Sequence, residues 1–361
     1  MSPAPLVMAV YDLDSSPLSF DFLHFLSAAY VYAEGAPIHV VICPGLRKGW
    51  RTQVEVKPLT DAERLWRLDH ILIPAARLMG CSVTLAPARS LAGAMAPGGE
   101  KNSSIFPPGW KPDNSKRLYD FGWAAKICQG GMTIPFRASE QALEHVKPWL
   151  ANMPKTGPIV TITLRDTHTP TRNSNTQAWL AVAYQLQNKG YRVVVIPDTE
   201  KAMQPAPNMD TGQKWDDILT FCPLAAVDLD IRMALYEQSS LNMAASGGPF
   251  MLNVLAGLPY LWWMQLPERY DDPKTGKTHF TPTAAFMTTH GFPPGSQFHP
   301  TAGKECRVIW EKDDNPDRML EEALKSLDFG KPFMRDPPHG YPLISKPKHI
   351  DTNGLLITGD R

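Results

Sequence analysis

Two short stretches of this chain combine residue types suited to holding an anion. The first is Ala245-Ser246-Gly247-Gly248-Pro249-Phe250. Two glycines let backbone approach a ligand where a Cβ would stand in the way. A proline just after them suits the first turn of a helix, where its missing N–H costs little. Free N–H groups and the positive end of the helix then face the same place, and phosphate or diphosphate is the natural guest. A tight turn that needs glycine and holds no ligand is the other reading. The second stretch is Leu164-Arg165-Asp166-Thr167-His168-Thr169-Pro170-Thr171-Arg172. Two arginines can clamp a diphosphate with paired hydrogen bonds, Arg165 the more directly placed and Arg172 either a partner or a solvated loop charge. His168 is a general base, a phosphate donor or a surface histidine.

The elements around these stretches decide where they sit. Ile159 to Leu164 is a β-rich run, so Arg165 falls at the C-terminal end of a strand, where open α/β sheets bind ligands. Thr176 to Lys189 has helical periodicity, with Asn or Ser available as N-cap and Gly190 beyond its end. Tyr191 to Ile196 is the next strand and closes on Pro197-Asp198. Residues 219–230 alternate short apolar pieces with turn residues. Ile231 to Gln238 reads as a short helix, Ser240 to Ala245 as a buried strand, Phe250 to Ala256 as a helix capped by Gly257, and Pro259 to Met264 as a strand. The glycine pair therefore lies between a strand and a helix.

The first half carries a similar alternation. Leu6 to Tyr11 is an apolar strand ending in Asp12-Leu13-Asp14-Ser15-Ser16-Pro17. A helix from about Ser19 to Ala33 stops at Gly35, and Ile38 to Cys43 is a second strand closed by Pro44-Gly45. Asp61 to Met79 is helical, leading through Gly80 into Cys81 to Leu85. Residues 87–130 lose the pattern and read as turns carrying Phe106, Trp110, Tyr119, Phe121 and Trp123. A helix over Ser139 to Met153 and the segment Pro154 to Pro158 form the expected linker. Three segments result: a first domain over 1–153, a second over 154–330 and a tail over 331–361.

Composition narrows the partners. The 361 residues carry 36 Lys+Arg and 36 Asp+Glu, so no net field favours nucleic acid or an acidic membrane. Anion capture must then come from local geometry. The 5 cysteines lie far apart without a CxxC pair, as in a reduced, cytoplasmic protein rather than a disulfide or zinc framework. No basic leader precedes an apolar stretch, and no run reaches the roughly 20 apolar residues of a membrane span, leaving at most peripheral membrane contact.

The second half resembles the C-terminal domain of GT-B glycosyltransferases, especially the fucosyltransferase-like group. The matching stretches are Ile162-Thr163-Leu164-Arg165, Tyr191 to Asp198, and Leu241 to Pro249, within residues 155–265. Asp166 stands where a second basic residue would complete the fucosyltransferase pattern. The resemblance implies an α/β protein of two Rossmann-like domains facing across a cleft. It implies transfer of a sugar from a nucleotide-diphosphate donor to a carbohydrate or glycoconjugate acceptor. Arginine and helix dipole would neutralise the leaving diphosphate without metal or cofactor. Donor residues under this reading are Arg165, His168, Arg172, Asp198, Glu237, Ser246, Gly247 and Gly248. Asp228 and Asp230 can read base or ribose, while Asp198 is otherwise a turn cap and Glu237 a solvated helix carboxylate. Asp12 and Asp14 can take the proton from an acceptor hydroxyl, or cap the helix that follows. Phe106, Trp110 and Trp123 stack on sugar or anchor their loop. A nucleotide-sugar epimerase or hydrolase, and a nucleotide-sugar-binding protein without turnover, are the competing readings.

Overall fold

The computed structural model describes residues 6–45, 59–95, 103–113, 121–167, 173–209, 212–265, 270–271, 278–279, 287–288, 291–300, 305–328, 349–350 and 356–357. The chain divides into two compact units, one of Met1–Phe136 with Leu343–Arg361 and one of Arg137–Pro342.

The first unit is built on β1 (Leu6–Asp12), β2 (Ile38–Cys43), β3 (Ser82–Leu85) and β4 (Ser103–Phe106). All pair in parallel, in the order β3-β2-β1-β4. The two central strands are apolar along almost their whole length because both faces are covered, as parallel sheets require. α1 (Phe22–Ala33) crosses between them and ends where Glu34 and Gly35 take positive φ. The helical stretch that follows starts from a capping box between Thr60 and Glu63 and runs as α2 (Asp61–Arg67), a π-helical turn over Leu68–Leu72, and α3 (Ile73–Leu78). One uninterrupted helix was the sequence expectation. Pro74 explains the difference: it has no N–H to offer and its ring crowds the preceding turn, so the helix widens just before it.

Residues 87–130 also differ from expectation. They contain a 3₁₀ segment (Arg89–Met95), the sheet strand β4, and α4 (Phe121–Gln129). β4 is four residues long, half serine, and followed directly by proline, too short to show a period of its own.

The second unit is a six-stranded parallel sheet. Its strands are β5 (Ile159–Thr163), β6 (Arg192–Ile196), β7 (Thr220–Phe221), β8 (Leu241–Ala245), β9 (Tyr260–Gln265) and, after two-residue strands β10 (Tyr270–Asp271) and β11 (Thr278–His279), β12 (Cys306–Glu311). The order β12-β9-β8-β5-β6-β7 runs outward from β5 in one direction and from β8 in the other. This is a doubly wound order, with its reversal between β5 and β8. Alternate residues Val160, Ile162, Val195, Met243 and Trp263 form one core face with α6 (Thr176–Asn188) and α10 (Pro316–Leu327). On the other face, Thr163 Oγ1 meets the Tyr236 hydroxyl at 2.9 Å, and Asn242 Nδ2 donates to the Tyr236 carbonyl.

That second face carries α5 (Glu140–Ala151), the four-residue α7 (Leu224–Val227) and α8 (Leu229–Gln238). The start of α5 is fixed by α8: Asp230 accepts from the Ser139 N–H and hydroxyl, and Glu237 from the Ala138 N–H. α5 therefore belongs to the second unit, and the boundary lies before it rather than at 153. No sequence period marks this, because only tertiary partners decide it.

His299 is buried beside the Tyr260 hydroxyl, 3.1 Å from its Nδ1. Burial lowers its pKa from 6.5 to about 4. The folded state thus keeps it neutral while the unfolded chain takes up a proton between these values. Stability should fall as pH drops from about 6.5 to about 4, by about 3 kcal/mol. His299→Gln should flatten that part of a denaturation-versus-pH curve; an unchanged slope would remove His299 as its source.

Candidate functional site

The two stretches singled out in the sequence meet at the reversal point of the second sheet. β5 ends at Thr163, and Leu164 still donates to the Ile196 carbonyl, so Arg165 leaves the sheet edge from a fixed base. Arg165 and Ser174 exchange two hydrogen bonds: Arg165 N–H to Ser174 Oγ at 2.9 Å, and Ser174 N–H to the Arg165 carbonyl at 2.8 Å. On the neighbouring strand, β8 delivers Ser246 and Gly247 at the same edge. A Cβ added at Gly247 would lie 3.6 Å from Arg165 Nη1. The guanidinium therefore lies against the backbone that glycine leaves bare.

The turn itself is tighter than the sequence suggested. Gly248–Phe250 forms a 3₁₀ turn with Pro249 in its first positions, and α9 (Met251–Ala256) follows directly. Gly247 has φ −158° and ψ 146°, an extended conformation any residue can adopt. Its value is close approach rather than backbone freedom. Gly257, at φ 66°, closes α9 as expected.

Other candidate residues have protein partners. Asp198 Oδ2 accepts from the Asp166 N–H at 3.1 Å, and Oδ1 from the Glu200 N–H at 3.0 Å, the turn-cap geometry. It thereby ties the end of β6 to the residue after Arg165. Asn173 fastens the other side of this loop, accepting from the Thr167 N–H and donating to the Thr167 carbonyl. Asp228 caps α8 by accepting from Asp230 and Ile231, and Asp230 holds Ser139. Glu237 is buried and accepts from Ala138, so it is not a solvated helix carboxylate. His168 and Arg172 lie outside the described residues, as does Tyr119.

In the first unit, Asp12 ends β1 and is buried. Its Oδ1 accepts from Arg89 Nη1 and from the Asp14 N–H at 2.9 Å; its Oδ2 accepts from Trp110 Nε1 at 3.1 Å. Arg89 lies 5.7 Å above the Trp110 ring. Asp12 is thus engaged by its own unit, whereas Asp14 is half-buried. The neighbouring Cys43 thiol is pushed up to about 12 by burial and then by the Asp12 charge, which keeps it a thiol. Phe106, Trp110 and Trp123 are all buried, Phe106 between Phe25 and Tyr32, so these aromatics anchor the core.

Two contributors were missed in the sequence. Arg89 sits in a stretch read as turns, and its role depends on meeting Asp12 across 77 positions. Asp314 precedes α10, whose apolar spacing (Met319, Leu320, Ala323, Leu324, Leu327) and Asn315-Pro316 start were legible signals.

No family model matches the chain, and no curated protein matches it. Among solved structures it is similar to a glycosyl transferase family 9 protein from Veillonella parvula, at 10% identity over 91% of this chain and 99% of that one, with a TM-score of 0.44. It is also similar to the ADP-heptose LPS heptosyltransferase II of E. coli, at 12% identity over 90% and 99%, TM-score 0.43. A putative UDP-N-acetylglucosamine 2-epimerase from Listeria monocytogenes gives 13% identity over 98% and 92%, TM-score 0.34. Scores this low transfer neither an activity nor a ligand to the chain. None of the three is a fucosyltransferase.

Proposed function

We propose that the protein is a glycosyltransferase that takes a sugar from a nucleotide-diphosphate donor, with the donor diphosphate held at the β5–β8 edge of the second unit. One observation carries this reading: Arg165 Nη1 lies beside the bare backbone of Gly247, at the point where strand order reverses. Doubly wound sheets bind ligands at that place. A guanidinium offers paired donors to phosphate oxygens, and a glycine backbone lets those oxygens approach closely.

The chemistry follows from where charge grows. As the sugar leaves, negative charge accumulates on the diphosphate, and a preorganised guanidinium stabilises it more in the transition state than in the ground state. The acceptor, a carbohydrate or glycoconjugate hydroxyl, is assigned to the first unit. Asp12 and Asp14 are the candidate bases there, Asp12 already bonded by Arg89 and Trp110. The reaction is proposed to need no metal and to run in the cytoplasm.

A panel of UDP-, GDP-, ADP- and CMP-sugars tests this, each assayed with and without a mixed glycan acceptor pool and with EDTA present. Acceptor-dependent release of a nucleoside diphosphate, unaffected by EDTA, is expected with at least one donor. A sugar altered without acceptor would indicate an epimerase or hydrolase instead. Nucleotide-dependent thermal stabilisation without product would leave a binding protein.

A further inference from the structure

The last strand and helix of the second unit bring a buried carboxylate to the foot of the Arg165 loop. Asp314 follows β12 and is almost fully buried. Its Oδ2 accepts from the Asn175 N–H at 2.6 Å and from Trp179 Nε1 at 2.8 Å. Its Oδ1 accepts from Gln265 Nε2 at 2.7 Å, and the same Nε2 reaches the Asn173 carbonyl at 3.3 Å. Trp263 Nε1 donates to the Asp313 carbonyl, which pins the segment to the sheet.

This arrangement does more than cap a helix. Asn315, one residue on, already caps α10, and the Asn175 side chain already caps α6. Among the described residues no cation lies within ion-pairing distance of Asp314, so neutral donors alone hold it. Burying a carboxylate that way is costly. Burial correspondingly raises its pKa, against the pull of the three donors. Two of those donors bear on residues 173–175: Asn175 directly, and Gln265 through the Asn173 carbonyl, with Ser174, which is bonded twice to Arg165, between them.

We propose that Asp314 is the positioning residue of the donor site. Through Gln265 and Asn175 it fixes residues 173–175, and through Ser174 it fixes the Arg165 backbone, from which the guanidinium reaches Gly247. The proposal rests on the donor reading given above for its ligand, but not for its geometry. Ligand specificity should follow from it: Asp314 should matter for the diphosphate and not for the nucleoside.

Asp314→Asn is the informative variant because it keeps the shape. With its amide oxygen toward Asn175 and Trp179, its NH2 would face the Gln265 NH2. Flipping Gln265 would then set its oxygen against the Asn173 carbonyl. Either way the link to Asn173 is lost while the Asn175 bond survives.

The test uses the full chain and four proteins: wild type, Asp314→Asn, Arg165→Ala and the double variant. ADP, UDP and GDP, with the matching nucleosides, are titrated calorimetrically. In parallel, amide hydrogen exchange is followed at Ser174, which does not touch Asp314. Asp314→Asn should weaken the bound diphosphate by about tenfold, leave nucleoside binding unchanged, and add nothing in the Arg165→Ala background. Ser174 exchange should accelerate while Val160 and Val194 exchange stays slow. Additive losses with unchanged Ser174 exchange would overturn the proposal and make Asp314 a structural cap. If wild type binds no diphosphate, the donor reading falls, and Ser174 exchange alone decides the positioning role. If Asp314→Asn does not fold, Gln265→Met, which cuts only the bridge to Asn173, is put through the same measurements.

Discussion

Arg165→Ala should lower turnover by about 10²–10³-fold, the scale for losing one preorganised donor to developing negative charge. The residue stands half-buried at the sheet edge, and its backbone, not its side chain, makes the two bonds to Ser174. Those bonds survive truncation. Arg165→Lys should recover only part of the loss, because an ammonium keeps the charge without the planar pair of donors. Steady-state assays of the three proteins, with melting temperature as control, separate the outcomes. Unchanged turnover in Arg165→Ala would take the residue out of the mechanism, and a large drop in melting temperature would make it a structural ion-pair partner.

Gly247→Val should abolish diphosphate binding in a protein that still folds. The native backbone at Gly247 is extended, so a side chain adds no strain. A Cβ there would meet Arg165 Nη1 at 3.6 Å, the Ala245 carbonyl at 3.8 Å and Pro249 Cδ at 4.0 Å, all ordinary contacts. The branched side chain would instead fill the space between the guanidinium and the turn. Losing two hydrogen bonds to a charged group, at about 1.5 kcal/mol each, amounts to roughly a 100-fold or greater drop in affinity. Calorimetry on the folded variant measures it. Wild-type affinity in Gly247→Val would show that no ligand occupies this edge; an insoluble variant would mean that the glycine is needed for the turn alone.

The parts of the fold that were legible in the sequence are those whose own residues carry the signal. β1, β2, β6, β8 and β9 are apolar runs closed within two residues by Pro, Gly or Asp, and β5 is a β-branched run leading to Arg165. α6 announces itself through the Asn175 cap and through Gly190 at φ 97°. The meeting of Arg165 with Gly247 was half legible: each stretch looked suited to an anion, but only the pairing of β5 with β8 brings them to one edge. What stayed hidden depends on partners distant in the chain. β4 is a strand because β1 lies beside it, and α5 joins the second unit because two carboxylates of α8 hold its first turn. Asp12 looked like a candidate base from its place after β1; Arg89 and Trp110, which engage it, lie 77 and 98 positions away. The helix after Asp314 was legible but the role of Asp314 was not, since its three donors come from the cap and first turn of α6 and from the end of β9.

The central claim is that a diphosphate binds at the reversal point of the second sheet through Arg165. Titrating ADP, UDP, GDP and CDP into wild type and into Arg165→Ala, with the melting temperatures of both proteins matched, tests it most directly. At least one of the four should bind the wild type, and Arg165→Ala should bind that same nucleotide at least tenfold more weakly, the consequence of removing a charged hydrogen-bond donor. Binding of equal strength in both proteins, or no binding of any of the four to the wild type, would contradict it.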